Sequence, residues 1–246
     1  MAIGNNSMIN AGAGRPVGGP YGETYPFALV EGNHEAADMD DYLTPSCLPD
    51  RMGSEVSPLS TYGRDYLIDY PSDEPLARII AISPGMHRSY PAGSAHYEWV
   101  SDAIDEARAA GIRWVIVANH FDYISTGEKG NGMGADMFNL LVEKKVDLVL
   151  QSHEHAYQRS KQLSLGAGCA AVPTGSVNSS CIVDDGADAL YDKGDGPVVV
   201  INGTGGRPNY ALNPSDPEAG YFARIRGSEG PGGSVFGFSQ FTVSES

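Results

Sequence analysis

The sequence predicts an α/β chain built on a mixed, partly parallel β sheet, and three observations carry that expectation. Apolar runs of strand length recur at "LARIIAIS" (76–83), "IRWVIVAN" (112–119) and "VDLVLQ" (146–151). Between them, "AHYEWVSDAIDEARAAG" (95–111) and "GADMFNLLVEKK" (134–145) place apolar residues at helical spacing. Strands that are apolar throughout, joined by amphipathic helices, imply right-handed crossovers and a sheet buried on both faces. Finally, 246 residues with 41% hydrophobic content suffice for one sizeable core. One domain over 1–246 is expected.

Taken in order, residues 1–25 are Gly-rich and read as a loop or frayed end, with neither the basic start nor the apolar core of a signal peptide. "YPFALVEG" (25–32) is a short buried strand ending at Gly32. Residues 36–75 are polar and irregular and predict a long surface excursion before the strand at 76–83. In the first helix Trp99, Val100, Ala103, Ile104 and Ala107 share a face, and Gly111 suits the C′ position. Beyond residue 160, Gly, Pro and Asp dominate. "GPVVVINGTGG" (196–206), "YFARIRG" (221–227) and "GGSVFGFSQFTV" (232–243) predict antiparallel strands that extend or back the sheet, making 161–246 a β-rich C-terminal part.

Sixteen basic residues against 31 acidic ones give a net charge of −15. That argues against nucleic acid or an anionic membrane surface as a general partner. No stretch approaches the ~20 apolar residues that span a bilayer. Cys47 stands apart from Cys169 and Cys181, and none forms a C-x-x-C pair, which argues against a thiolate zinc site. Cys169 and Cys181 flank a Gly/Pro/Ser-rich loop, either as a disulfide in an exported protein or as two buried thiols. Asn5, Asn178 and Asn202 head N-x-S/T triplets that matter only in a glycosylating compartment.

Four of the six histidines follow strand ends. "ALV-EGNHE" places Asn33 and His34 after the first strand, "WVIVA-NHFDY" places His120 after the second, and "DLVLQ-SHEHAY" places His153 and His155 after the third. Ligands of open α/β sheets bind outside the carboxyl ends of the strands, so these side chains gather along one edge. Neutral imidazoles and an Asn carbonyl suit zinc, iron or manganese. A His-x-His turn can serve two neighbouring ions, an arrangement that recurs in phosphate-ester hydrolysis. His87 and His96 have no motif partner and read as surface or helix-flanking residues. Lys129, in the Gly-rich loop "YISTGEKGNGMG" (123–134), reads as a solvated lysine in a flexible loop, the alternative being a contact with phosphate.

"GNHE" (32–35), "VANH" (117–120) and "SHEHAYQR" (152–159), in that order, resemble the motifs of the calcineurin-like metallophosphoesterases. The chain looks most like the purple-acid-phosphatase-like branch, whose last motif usually has Gly where Ser152 stands, and "NGTGG" (202–206) resembles that branch's late strand. The resemblance implies a metallophosphoesterase-like mixed β sandwich flanked by helices. It gives Asn33, His120 and His153 to one metal and His155 to the other. His34 would face substrate as a transition-state stabiliser or leaving-group acid, or else serve as a hydrogen-bonding support. Glu35 and Glu154 orient neighbours, and Tyr157 and Arg159 support the turn.

The family's pattern opens with Asp-x-His and Gly-Asp motifs, and neither appears before Gly32. The N-terminal strands are therefore expected to be missing, along with the carboxylate that bridges two ions. A piece of a longer enzyme, a chain completed by a partner or a second copy, and a scaffold that has lost catalysis all fit this pattern. The function implied is metal-dependent hydrolysis of phosphate mono- or diesters by metal-activated water, with one or two Zn, Fe or Mn ions per chain and a small phosphate ester as substrate. The alternative is a catalytically impaired protein with a structural or self-assembly role that covers its open sheet edge. The cysteine pair and the family branch point to an extracellular or exported protein.

Overall fold

The computed structural model describes residues 2–4, 27–37, 39, 53–86, 88–230 and 233–245. In chain order its elements are β1 (Ala2–Gly4), β2 (Phe27–Leu29), β3 (Glu55–Val56), β4 (Tyr66–Tyr70), β5 (Ala77–Ala81), α1 (Ala95–Ala109), β6 (Trp114–Ala118), α2 (Ala135–Glu143) and β7 (Leu148–Gln151). The C-terminal part adds β8 (Tyr157–Ser160), β9 (Gln162–Leu163), β10 (Ile182–Asp184), β11 (Val198–Asn202) and β12 (Phe222–Arg226). An eight-stranded mixed sheet runs in the order β12-β8-β11-β7-β6-β5-β4-β3. Its centre, β5-β6-β7-β11, is parallel. Its flanks are antiparallel, β8 and β12 on one side and β4 and β3 on the other. The parallel centre follows from the two helical crossovers, because parallel neighbours need a long connection.

Both helices cover one face. In α1, Ser94 caps the N-terminus by accepting the Tyr97 N–H at 3.3 Å, and Val100, Ala103, Ile104 and Ala107 form the buried stripe. The helix stops as the sequence requires. Gly111, at φ +77°, takes the left-handed C′ position, and Ile112 N–H donates to the Ala107 carbonyl at 2.9 Å. Beneath the helices lie Ile80, Val115, Val117, Val149, Val199 and Ile201 in one core.

The opposite face is covered differently. β1 and β2 form a separate parallel ribbon, and Ala28 and Val30 pack on Tyr66, Ile68, Ala81 and Ala118 of the large sheet. The result is a helix–sheet–strand sandwich, as expected. Residues 2–4, expected in a loop, instead form β1. The remainder of the Gly-rich stretch, Asn5, Cys47 and His87 lie outside the described residues.

Three expectations are corrected. Within 36–75, β3 and β4 form an antiparallel arm on β5 rather than a surface excursion. "YLIDY" buries Leu67 under the helices and Tyr66 and Ile68 under β2. The Tyr66 hydroxyl donates to the Leu29 carbonyl, which pins the ribbon to the sheet. Secondly, β11 is antiparallel to β8 as expected but parallel to β7, because it inserts between the two in the sheet. Thirdly, the described residues 233–245 contain no strand. Its contacts run to the loop after β11 and to the start of β6, strands already paired on both flanks. Gly237 N–H reaches the Thr204 carbonyl, and Trp114 Nε1 donates to the Ser244 carbonyl at 3.0 Å.

Cys169 and Cys181 are bonded, both fully buried, with a Cα–Cα distance of 5.1 Å and 12 residues of sequence separation. The loop they close is strapped to α2 and its approach. Val172 N–H donates to Asn139 Oδ1 at 2.7 Å, and the Tyr123 hydroxyl donates to the Val172 carbonyl at 2.9 Å. Closing a loop of this size is worth ~3 kcal/mol. Cys169→Ser is therefore expected to lower unfolding free energy by ~2–4 kcal/mol in urea. Wild type measured in reductant should show the same loss; an unchanged midpoint would mean that the loop contributes no constraint.

Candidate metal centre

β6 and β7 lie side by side and end together, with Ala118 opposite Leu150. The loops that leave them are laced through the backbone. Ser152 and His153 N–H both donate to the His120 carbonyl, at 3.2 and 3.0 Å. The third loop arrives from the other layer. After β2, Glu31 N–H donates to the Gly63 carbonyl at 2.9 Å, and the chain turns at Gly32 over the His120 ring. A Cβ on Gly32 would lie 2.8 Å from Glu35 Oε2 and 3.3 Å from His120 Nδ1. A side chain there would push Glu35 and the His120 ring away.

These loops bring three side chains to one point. His120 Nε2 is 2.8 Å from Asn33 Oδ1 and 3.0 Å from His153 Nδ1. Phe121 packs edge-on against the His153 ring, with centroids 4.6 Å apart. Burial, followed by the nearby imidazoles His153, His34 and His155, pushes His120 down to about 3. Burial and then Lys129 push His153 down to about 4. Both rings are therefore neutral near pH 7, and no proton opposes metal binding there.

This donor set fits a metal ion. Ligand atoms ~2.1 Å from an ion and at right angles to one another lie ~3 Å apart, which is the spacing of His120 Nε2 from each of the other two. Two imidazole nitrogens and an amide oxygen suit zinc, iron or manganese. Among the described residues, no group of three or more His, Cys, Asp or Glu side chains is placed to hold an ion. The trio differs in that its third donor is an amide.

His155 turns elsewhere. Its ring stacks on Tyr210 with centroids 4.3 Å apart and planes 14° off parallel, and Tyr210 N–H donates to its carbonyl at 2.8 Å. Burial and then Arg207 lower its pKa, with His34 and Lys129 adding. His34 is exposed in the turn after β2. It directly follows Asn33, whose amide oxygen meets His120.

Two carboxylates expected to orient their neighbours adjoin the three histidine-bearing loops. Glu35 is buried, and burial, with Glu31 adding, pushes it up to about 7. Glu154 is fully buried, and its N–H donates to Asp122 Oδ2 at 2.7 Å. Tyr157 and Arg159 are held in β8, which pairs with β11 and β12. His96 lies in the first turn of α1 against Tyr90 and Asp65, away from the centre.

Lys129 differs from its sequence reading. The loop that carries it is tied down through Ser125, Thr126 and its own N–H, and its ammonium lies 6.0 Å from the Tyr210 ring centroid. Tyr210 and Arg207 themselves carried no sequence signal beyond following "NGTGG".

The calcineurin-like phosphoesterase family profile matches residues 14–157. Purple acid phosphatase 1 of Ipomoea batatas is 26% identical over 216 residues, covering 84% of this chain and 42% of that protein. Purple acid phosphatase 18 of Arabidopsis thaliana is 24% identical over 155 residues, covering 60% of this chain and 34% of the relative. The chain thus spans about a third to two fifths of the length of these curated relatives. A purple acid phosphatase structure from yellow lupin (Lupinus luteus) seeds superposes with a TM-score of 0.53 at 16% identity, over 82% of this chain and 35% of the lupin one. That likeness is one of fold. With more than half of its residues matched, and the three histidine-bearing loops inside or at the edge of that stretch, the chain belongs to the calcineurin-like phosphoesterase family.

Proposed function

We propose that this chain hydrolyses small phosphate mono- or diesters with the help of a metal ion held by Asn33, His120 and His153. The observation that carries this reading is the convergence of two neutral donors, Asn33 Oδ1 from the other layer of the sandwich and His153 Nδ1, each within 3.0 Å of a third, His120 Nε2. A bound divalent or trivalent ion supplies Lewis acidity toward phosphate oxygens and activation of the attacking water. Beside it, His155 is the candidate donor to a second ion. His34, exposed and next to Asn33 in the chain, is suited to stabilise the transition state or to protonate the leaving oxygen. Lys129 and Arg207 give the His155 side a positive rim on a chain whose net charge is −15, which favours an anionic ester there. The buried disulfide supports an oxidising, extracellular or exported setting.

The test is elemental analysis of protein purified without chelators, paired with hydrolysis of p-nitrophenyl phosphate and its bis-ester. One or two Zn, Fe or Mn per chain, with turnover lost on chelation and restored by metal, is the expected result. Metal-free protein that stays inert after reloading would overturn it. That outcome would favour a second reading, a structural or self-assembling protein on this scaffold. Its supporting observation is the exposure of Phe236, Phe238 and Phe241, at 60, 87 and 46%.

A further inference from the structure

We infer that Glu154 is a positioning residue that seats Lys129 beside His153 and His155 through the backbone of the 125–129 loop, where Lys129 meets the phosphate of the substrate. This rests on the phosphoesterase reading above.

Glu154 stands between two candidate ligands yet points away from solvent. It is fully buried while His153 and His155 are half-buried. Its Oε2 accepts the Lys129 N–H at 2.8 Å. A Cβ on Gly127 would lie 2.1 Å from Glu154 Cδ and 2.3 and 2.5 Å from its two oxygens, so the carboxylate is pressed against the Gly127 backbone. The loop's other ties run to the C-terminal part. Thr126 N–H and hydroxyl both donate to Gln158 Oε1 at 2.9 Å, and Ser125 N–H donates to Glu218 Oε2 at 2.8 Å. The Thr126 carbonyl accepts the Asn213 N–H at 2.8 Å. Those three anchors fix the loop's root, and the Glu154 bond holds the segment from which the Lys129 side chain departs.

The far side of Glu154 is equally fixed. Its own N–H is held by Asp122, and its carbonyl abuts Gly203. The same residue thus joins the turn that presents His153 and His155 to the loop that presents the cation. A lysine on an untethered loop would sample many positions, and ordering it on phosphate binding would cost affinity. A tethered one is ordered beforehand.

The experiment measures inorganic phosphate affinity by calorimetry and KM and kcat for p-nitrophenyl phosphate, on metal-loaded full chain. It compares Glu154→Ala, Glu154→Gln, Lys129→Ala and the Glu154→Ala/Lys129→Ala double variant. A hydrogen bond to a charged group predicts ~10-fold weaker phosphate binding and ~10-fold higher KM for Glu154→Ala. Metal content should be unchanged and kcat little altered. Glu154→Gln keeps an acceptor for the Lys129 N–H and should recover most of the affinity. In the double variant the Glu154 change should add nothing to Lys129→Ala. Amide exchange across 126–130 should quicken in Glu154→Ala and return to normal in Glu154→Gln.

Independent, additive effects would overturn the inference, as would loss of metal in Glu154→Ala, which would place Glu154 in support of the ligand turn alone. Should wild type hydrolyse neither ester, the hydrolase reading fails. Coupled losses of phosphate affinity would still uphold the Glu154–Lys129 link, and unchanged phosphate binding in both single variants would sink it.

Discussion

Metal content falls to background in His120→Ala, and with it every turnover of phosphate ester: this is the largest functional effect expected of any single substitution. His120 is the shared member of the trio, its Nε2 lying 2.8 Å from Asn33 Oδ1 and 3.0 Å from His153 Nδ1. Removing its ring leaves two donors that no longer touch a common atom. Changes to groups that merely orient a ligand cost ~10–100-fold in metal affinity, so loss of a central ligand should exceed that range. The ring is also nearly buried and packs against Phe121 and His153. Some stability is therefore lost as well, of order 1–3 kcal/mol. The two effects separate experimentally. His153→Ala, on a half-buried residue, should lose metal with a smaller change in unfolding midpoint. His96→Ala, whose ring touches Asp65 and Tyr90 instead, should retain metal in full. A His120→Ala protein that keeps stoichiometric metal and activity would show that the trio is not the centre.

The difference between these histidines was partly legible in the sequence. His120 and His153 follow apolar strands joined by one helical crossover, and such a unit forces adjacent parallel strands whose ends coincide. The placement of Asn33 was less so. Its strand, "YPFALVEG", has the same apolar texture as the others, and periodicity cannot say whether a strand joins a sheet or lies across it. In the structure it lies across, tied down by the Tyr66 hydroxyl and by Gly63. β4 was hidden for the converse reason: its buried residues alternate between two cores, amid Tyr and Asp that read as loop. The C-terminal tail has the composition of a strand, but β11 and β6, whose ends it meets, are already paired on both flanks. Lys129 and Tyr210 depend on contacts across more than 20 residues of sequence, such as Lys129 to Glu154, for which a single chain offers no local sign.

Gly203→Ala should produce the largest loss of stability among the glycine substitutions near the site, and should damage the centre from behind. Gly203 follows β11, and its N–H donates to the Ala156 carbonyl at 3.0 Å. A methyl group there would lie 2.1 Å from the Glu154 carbonyl oxygen and 2.7 Å from that of Ser152. Both obstacles are backbone, so no rotamer change relieves the clash. Overpacking typically costs ~1–3 kcal/mol, and a backbone clash belongs at the top of that range. For a chain of this length, that corresponds to a Tm lowered by ~5–10 °C. The displaced segment is the turn that carries His153 and His155, so metal should be lost in proportion to the shift, although Gly203 touches no ligand side chain. Gly166→Ala provides the control, because a Cβ there meets nothing within 4 Å. Thermal unfolding followed alongside metal content would decide the matter. If Gly203→Ala kept both its Tm and its metal, β11 could not be packed against the histidine turn as closely as described. The conversion of sheet packing into ligand placement would then have to lie elsewhere in the fold.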